Sequence, residues 1–152
     1  MVSLREVTDE DTPFILSLFA NVRERELGMM PLGPDQRSAM IQMQFRAQKG
    51  SYLSAYPNAS YHIICLDQSP IGNMTTNVGE DTITLIDIAL LSAHRGKGIG
   101  TSLIRQLIEI AEQSGKSLRL HVESSNPARD LYLRLGFREV ENDGVYIAMT
   151  RP

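Results

Sequence analysis

Apolar and polar positions alternate with two different periods along the chain, and the change of period marks out its elements. Residues 2–7 read as a strand. "TDEDTPFILSLFANVRERE" then carries acidic residues, Pro13 in the first turn, and Phe14, Ile15, Leu18, Phe19 and Val22 at helical spacing, which predicts a first helix. "LGMMPLGP" breaks it. A second helix resumes in "DQRSAMIQMQFRAQKGSYLSAY" through Met40, Ile41, Met43, Gln44 and Ala47, with a predicted end near Gly50. "SYHIICLD", "PIGNMTTNV" and "DTITLIDIALL" are β-branched runs separated by the turn residues "DQSP" and "GED", the pattern of an antiparallel meander.

The clearest helical face comprises Ile99, Leu103, Ile104, Leu107, Ile108 and Ala111, with Gly115 as its stop. "SLRLHVE" follows as a strand that turns Leu118, Leu120 and Val122 one way and Arg119, His121 and Glu123 the other. In "SNPARDLYLRLGF", Asn126 suits a helix N-cap, Pro127 the first helical position and Gly136 the stop. "FREVE" and "VYIAMT" close the chain as two strands joined at "NDG".

At 152 residues, with 42% hydrophobic and 22% charged positions, the chain is expected to form one domain, residues 1–152, around an apolar core. No apolar run is long enough to span a bilayer, and the N-terminus brings in charge within five residues, so neither a membrane span nor a secretory signal is expected. The expected compartment is therefore cytoplasmic. Cys65 is the single cysteine, which excludes an internal disulfide and a cysteine-rich zinc site; no metal is expected. The net charge of −3, spread without a basic stripe, argues against bulk nucleic-acid binding but leaves room for a small anion site.

Such a site has a candidate in "IALLSAHRGKGIGTSLIRQL", where Arg95, Gly96, Gly98 and Gly100 stand between a strand and a helix. Backbone N–H groups converge there without side chains in the way, an arrangement that attracts phosphate; a solvated turn needing positive φ angles is the plainer alternative. The letters do not fit a P-loop, because no Gly-Lys-Ser/Thr is present, nor the dinucleotide fingerprint, whose glycines are spaced differently and lie near the first strand.

They do fit Arg/Gln-x-x-Gly-x-Gly/Ala through Arg95, Gly98 and Gly100, which resembles the acyl-CoA loop of the GNAT (Gcn5-related) N-acetyltransferase superfamily. The resemblance covers roughly residues 70–140: "LIDIALLSAH" is similar to the family's fourth strand, with Ser92 where many members have proline, and Asn126, Tyr132, Gly136 and Phe137 match a downstream segment. It implies an α/β (α+β) GNAT fold: a central mixed, mostly antiparallel sheet of six or seven strands, helices on both faces, and strands four and five parallel and splayed. It further implies acetyl-CoA as acyl donor, its pantetheine paired with the backbone of Ile88, Ala89 and Leu90 and held by Asn126. The diphosphate would lie on Arg95, Gly96, Lys97, Gly98, Ile99, Gly100 and Thr101.

By the same resemblance Tyr132 would protonate the departing thiolate while a neutral amine attacks directly. His121, at a position where some relatives carry a catalytic glutamate, and Asp87, a carboxylate among aliphatics, are the candidate bases, with a water chain as the alternative. Packing alone would also account for Tyr132. The acceptor would be a small-molecule amine or a peptide N-terminus, and a homodimer stays open. Arg23, Arg25 and Arg46 could hold an acceptor carboxylate or lie on solvated helix faces. Two competing readings are an acyl-CoA-binding module without turnover and an interaction domain using an exposed Met29–Met30–Pro31 loop.

Overall fold

The computed structural model describes all 152 residues. In chain order the elements are β1 (Val2–Glu6), α1 (Thr12–Gly28), α2 (Pro34–Ala55), β2 (Ser60–Leu66), β3 (Ser69–Val78), β4 (Thr82–Leu90), α3 (Ile99–Ser114), β5 (Ser117–Glu123), α4 (Ala128–Arg134), β6 (Arg138–Asn142) and β7 (Tyr146–Arg151). The strands form one sheet in the order β1-β2-β3-β4-β5-β7-β6, in which only the β4–β5 pair is parallel. This is the mixed sheet with helices on both faces that the sequence resemblance implied. No helix is long and apolar enough to cross a membrane.

The two faces of the sheet are packed differently. On one, the apolar stripe of α3 (Leu103, Ile104, Leu107, Ile108 and Ala111) meets the inward residues of the strands, among them Ile83, Leu118 and Ile147, all almost fully buried. A buried CH₂ contributes about 0.8 kcal/mol, so this close-packed layer is the main source of stability. On the other face α1 and α2 hold each other through Phe19, Leu27 and Ile41, with the Phe19 and Phe45 rings edge to face at 5.4 Å. That smaller cluster does not fill the space above the sheet.

Two expectations are corrected here. α2 does not stop near Gly50 but runs to Ala55, because Gly50 keeps ordinary helical backbone and the helix continues through Tyr52. A glycine costs a helix interior about 1 kcal/mol, which neighbouring contacts readily offset. The inner face of α2 is only partly as expected: Met40 and Ile41 pack inward, but the face continues through Phe45, Gln48 and Tyr52, whereas Met43 and Ala47 are exposed. Met29, Met30 and Pro31 are exposed as well, Met29 at 81%.

β4 carries the feature that shapes the site. Its pairing with β3 shifts between Thr75↔Asp87 and Thr76↔Leu85, leaving Ile86 as an extra residue in a β-bulge. Ile83 and Leu85 before the bulge, and Ile88 and Leu90 after it, all pack toward the α3 core, while Asp87 faces α1 and α2. A bulge bends its strand and sharpens its twist. The parallel pairing of β4 with β5 ends at Leu85↔Leu120, so Ile86–Leu90 diverge from His121–Glu123.

Candidate active site

The divergence of β4 from β5 opens into a cavity of about 410 Å³ roofed by α1 and α2. Its floor holds Asp87 and Ala89 from β4, His121 and Glu123 from β5, and Asn73 from β3; Arg23 and Tyr52 come down from the helices. Tyr132 enters from the opposite side. Its ring is 8% exposed and packs edge to face on Phe137 at 5.7 Å within the α3 core, yet it also lines the cavity, so α4 delivers it through the fork between the strands. The stop of α4 is as expected, whereas its first residue is Ala128, with Pro127 at the N-cap position and Asn126 one residue earlier. Asn126 Oδ1 accepts the Ala128 N–H at 2.9 Å, and Gly136, at φ 97°, allows Phe137 N to reach the Tyr132 carbonyl at 3.0 Å.

The electrostatics of this cavity are governed by burial. Burial pushes the Asp87 carboxyl above the usual carboxylate range, only partly offset by Asn73 Nδ2 donating to its Oδ2 at 3.5 Å, by the Arg23 charge and by the Ile88 N–H. Burial also raises the Tyr132 hydroxyl, and the negative charge of Asp87 adds to the shift. Tyr52 is pushed up to about 12 for the same two reasons. Both hydroxyls are thus protonated at neutral pH, and Tyr132 can donate. His121 is exposed at the cavity wall and lies near enough to Asp143 to act on that carboxylate electrostatically.

The glycine loop stands at one end of β4. Gly96 (φ 74°) and Gly98 (φ 81°) are both left-handed, which only glycine adopts without cost, and Gly98 caps α3 by accepting the Ser102 N–H at 3.0 Å. Gly100 differs: it lies inside α3 with ordinary helical angles. A Cβ on any of the three would meet no heavy atom within 4 Å, and the amides of Ile99, Gly100 and Thr101, in the first turn of α3, have no acceptor within the helix. Arg95 does not hang free in this space. Its Nε donates to the Leu90 carbonyl at 2.9 Å and one Nη to Asn21 Oδ1 at 3.2 Å, while the same oxygen accepts the Ser92 N–H at 3.0 Å. Arg95 therefore straps the loop to β4 and to α1; Lys97 is exposed. A second hollow of about 730 Å³ adjoins the loop, with Gly98, Thr101, Arg105, Arg134 and Arg151 in its wall.

A family model described as the acetyltransferase (GNAT) family matches residues 21–137. The chain belongs to the GNAT family and is an N-acetyltransferase. Among characterised GNAT relatives, it is 31% identical over 108 residues to the ribosomal protein bS18-alanine N-acetyltransferase of Haemophilus influenzae, covering 70% of this chain and 72% of that one. The fold is similar to that of PaiA N-acetyltransferase from Thermoplasma acidophilum, solved with coenzyme A (TM-score 0.73, 17% identity, 99% and 98% of the two chains). It is also similar to an acetyltransferase from Thermus thermophilus (TM-score 0.69, 23% identity, 100% and 97%).

Of the residues singled out from the sequence, Asp87, Ile88, Ala89, His121, Asn126 and Tyr132 line one cavity, and the loop from Arg95 to Thr101 stands apart from it at the end of β4. Arg23 lines the cavity, whereas Arg25 and Arg46 are exposed and do not. Tyr52, Phe45, Asn73 and Tyr146 escape the sequence reading. The spacing Ile41–Phe45–Gln48–Tyr52 is the available signal for the first two, and a helix end placed at Gly50 conceals it.

Proposed function

We propose that this GNAT enzyme transfers the acetyl group of acetyl-CoA to a primary amine, of a small molecule or a protein N-terminus, held in the cavity. The observation that carries the reading is the fork itself: beyond Leu85↔Leu120 the facing edges of β4 and β5 have no strand partner, and Tyr132 and Asp87 reach the opening from opposite faces. An extended ligand can add to such an edge as a strand would. The backbone of Ile88, Ala89 and Leu90 would pair with the pantetheine. The free amides from Gly96 to Thr101 would take the diphosphate, supported by Lys97 and by the helix dipole, worth about 0.3–1 kcal/mol. No side chain crowds the three glycines, which leaves an anion free to approach the loop. Arg95 serves by holding the loop, and Asn126 keeps its cap while its Nδ2 remains available to a pantetheine carbonyl.

When bound, acetyl-CoA supplies an acyl group activated as a thioester. Tyr132 holds a proton at its hydroxyl for the departing sulfur, and its raised pKa keeps that proton in place until negative charge develops beside it. Asp87 is the better base. It lies in the cavity close enough to influence Tyr132 and Tyr52, and its raised pKa brings it nearer to that of the proton it must accept. His121 guards the exposed wall and is the second candidate. The cytoplasm is the proposed compartment, consistent with a free, buried Cys65, and residues 1–152 act as one domain.

The test is a screen of acetyl-CoA with amino acids, polyamines, aminoglycosides and N-terminal peptides, read by thiol release, beside the melting shift produced by acetyl-CoA, ATP and NAD. Acetyl-CoA alone should stabilise the protein strongly. An equal shift with NAD and no thiol release with any amine would sink the reading.

A further inference from the structure

Arg23 is the one lysine or arginine in the cavity wall, and its environment is unusual for a helix arginine. Its guanidinium carbon stands 3.4 Å from the centre of the Phe19 ring, and Nη1 donates to the Phe19 carbonyl at 3.3 Å. Three carboxylates line the same cavity, those of Asp87, Glu26 and Glu123, with His121 beside them, yet Arg23 forms an ion pair with none of them. Burial lowers its pKa in spite of these charges, which means that they stand too far off to compensate for lost water. Arg23 is half-buried, so its guanidinium has lost part of its water, and an anion meeting its remaining donors would make good that loss. The cavity thus presents Arg23, with Glu26 one turn further along the same helix, on the α1 side and the carboxylates of Asp87 and Glu123 on the sheet side, separated by space of small-molecule size.

We propose that the acceptor is a small amino-carboxylate, its carboxylate on Arg23 and its amine on the Asp87 side of the cavity. The inference rests on the acetyl-transfer reading of this site and goes further by naming the acceptor class. A fork of N–H donors matches a carboxylate in two parallel hydrogen bonds. A peptide N-terminus would bring a neutral amide carbonyl to the place where a free amino acid brings its carboxylate, and would leave Arg23 without a counter-ion. A polyamine would bring a second cation against it. A small zwitterion satisfies both ends of the cavity.

The experiment compares free amino acids, each beside its α-carboxamide and its decarboxylated amine, and a set of short peptides, in wild type and in Arg23→Gln and Arg23→Lys. Thiol release gives kcat/KM, and calorimetric titration of the same compounds into the CoA-bound enzyme gives affinity. Expected is a preference for the free acid over its amide of roughly 10–100-fold, which Arg23→Gln abolishes mainly through KM and Arg23→Lys partly restores. The melting shift with acetyl-CoA should be unchanged in both variants, which shows that they fold. Amides, amines or peptides used as well as the free acids would overturn the inference and leave acetyl transfer standing, as would an equal loss on acid and amide in Arg23→Gln. Absence of any turnover together with absence of an acetyl-CoA shift would remove the underlying reading, and the inference with it.

Discussion

Gly72 offers a sharp test of how closely β3 and β4 approach behind the fork. It pairs with Leu90, and a Cβ added to it would lie well inside 3.0 Å of the Ala89 carbonyl oxygen and 2.9 Å from Leu90 Cδ2. Ordinary contact begins near 3.4 Å, and the first of these atoms is backbone, so Gly72→Ala must push the end of β4 by roughly 1 Å. Overpacking of this kind costs about 1–3 kcal/mol, which in a domain of this size lowers Tm by roughly 4–8 °C for a cost near 2 kcal/mol. The strand displaced is the one whose Ile88–Leu90 edge is to hold the pantetheine, so the Kd for acetyl-CoA should rise about ten-fold or more. Gly50→Ala is the control. It lies in α2 with ordinary angles and no atom within 4 Å of its added methyl, and should stabilise by about 0.4–1 kcal/mol. Scanning calorimetry and titration with acetyl-CoA measure both variants. A Gly72→Ala protein with wild-type Tm and wild-type Kd would refute the reasoning, since the strand would then have room that the geometry denies it.

Tyr132→Phe keeps the ring on Phe137 but removes the donor, and should lower kcat by about 10²–10⁴-fold with little change in acetyl-CoA affinity, as read by stopped-flow thiol release. Asp87→Asn should lower kcat/KM and abolish its rise with pH on the acidic side, where the wild type gains activity as Asp87 ionises through its raised pKa; His121→Ala should leave that limb in place. The same Asp87→Asn variant should melt higher at pH 7. A carboxyl with a raised folded pKa destabilises increasingly as pH climbs above its unfolded value of 3.8, and asparagine removes that penalty. Asp11 has the opposite sign. Two hydrogen bonds from Arg5, at 2.7 and 2.8 Å, and one from Thr8 N–H hold it well below the usual range, so its contribution is present above pH 3.8 and lost as the pH falls further. Asp11→Asn should therefore lower Tm at neutral pH and give a flatter Tm profile in acid.

How far the sequence alone reaches depends on the kind of constraint. α3 is readable because its stripe is buried against one face of the sheet, and Asn126 and Gly136 because caps and left-handed turns depend on residues close in sequence. α2 departs from its sequence reading at both its face and its end. One side of that helix covers a cavity rather than a core, so Gln48 and Tyr52 can occupy inward positions that a hydrophobic pattern leaves unmarked. Arg95 shows another limit: its letter fits a phosphate loop, but whether the guanidinium reaches outward or straps Leu90 to Asn21 depends on a residue 74 positions away. The meeting of Tyr132 with Asp87 is of the same kind, since it arises only where two strands part.

Ile86 gives that parting a simple numerical form. Counted strictly in twos from Leu85, Asp87 would fall on the side of the core and Ile88 on the side of the cavity; the extra residue resets the count, so the acid is outside and the aliphatics are inside. Deleting Ile86 would leave every later side chain on its present side, because the lost residue and the lost bulge cancel. What would vanish is the bend, and the parallel ladder could then continue past Leu85 and zip the fork shut. Folding and catalysis are in this sense written in separate instalments of the same strand. A homologue one residue shorter at this point is expected to keep the architecture and the acid and to lose the opening between β4 and β5.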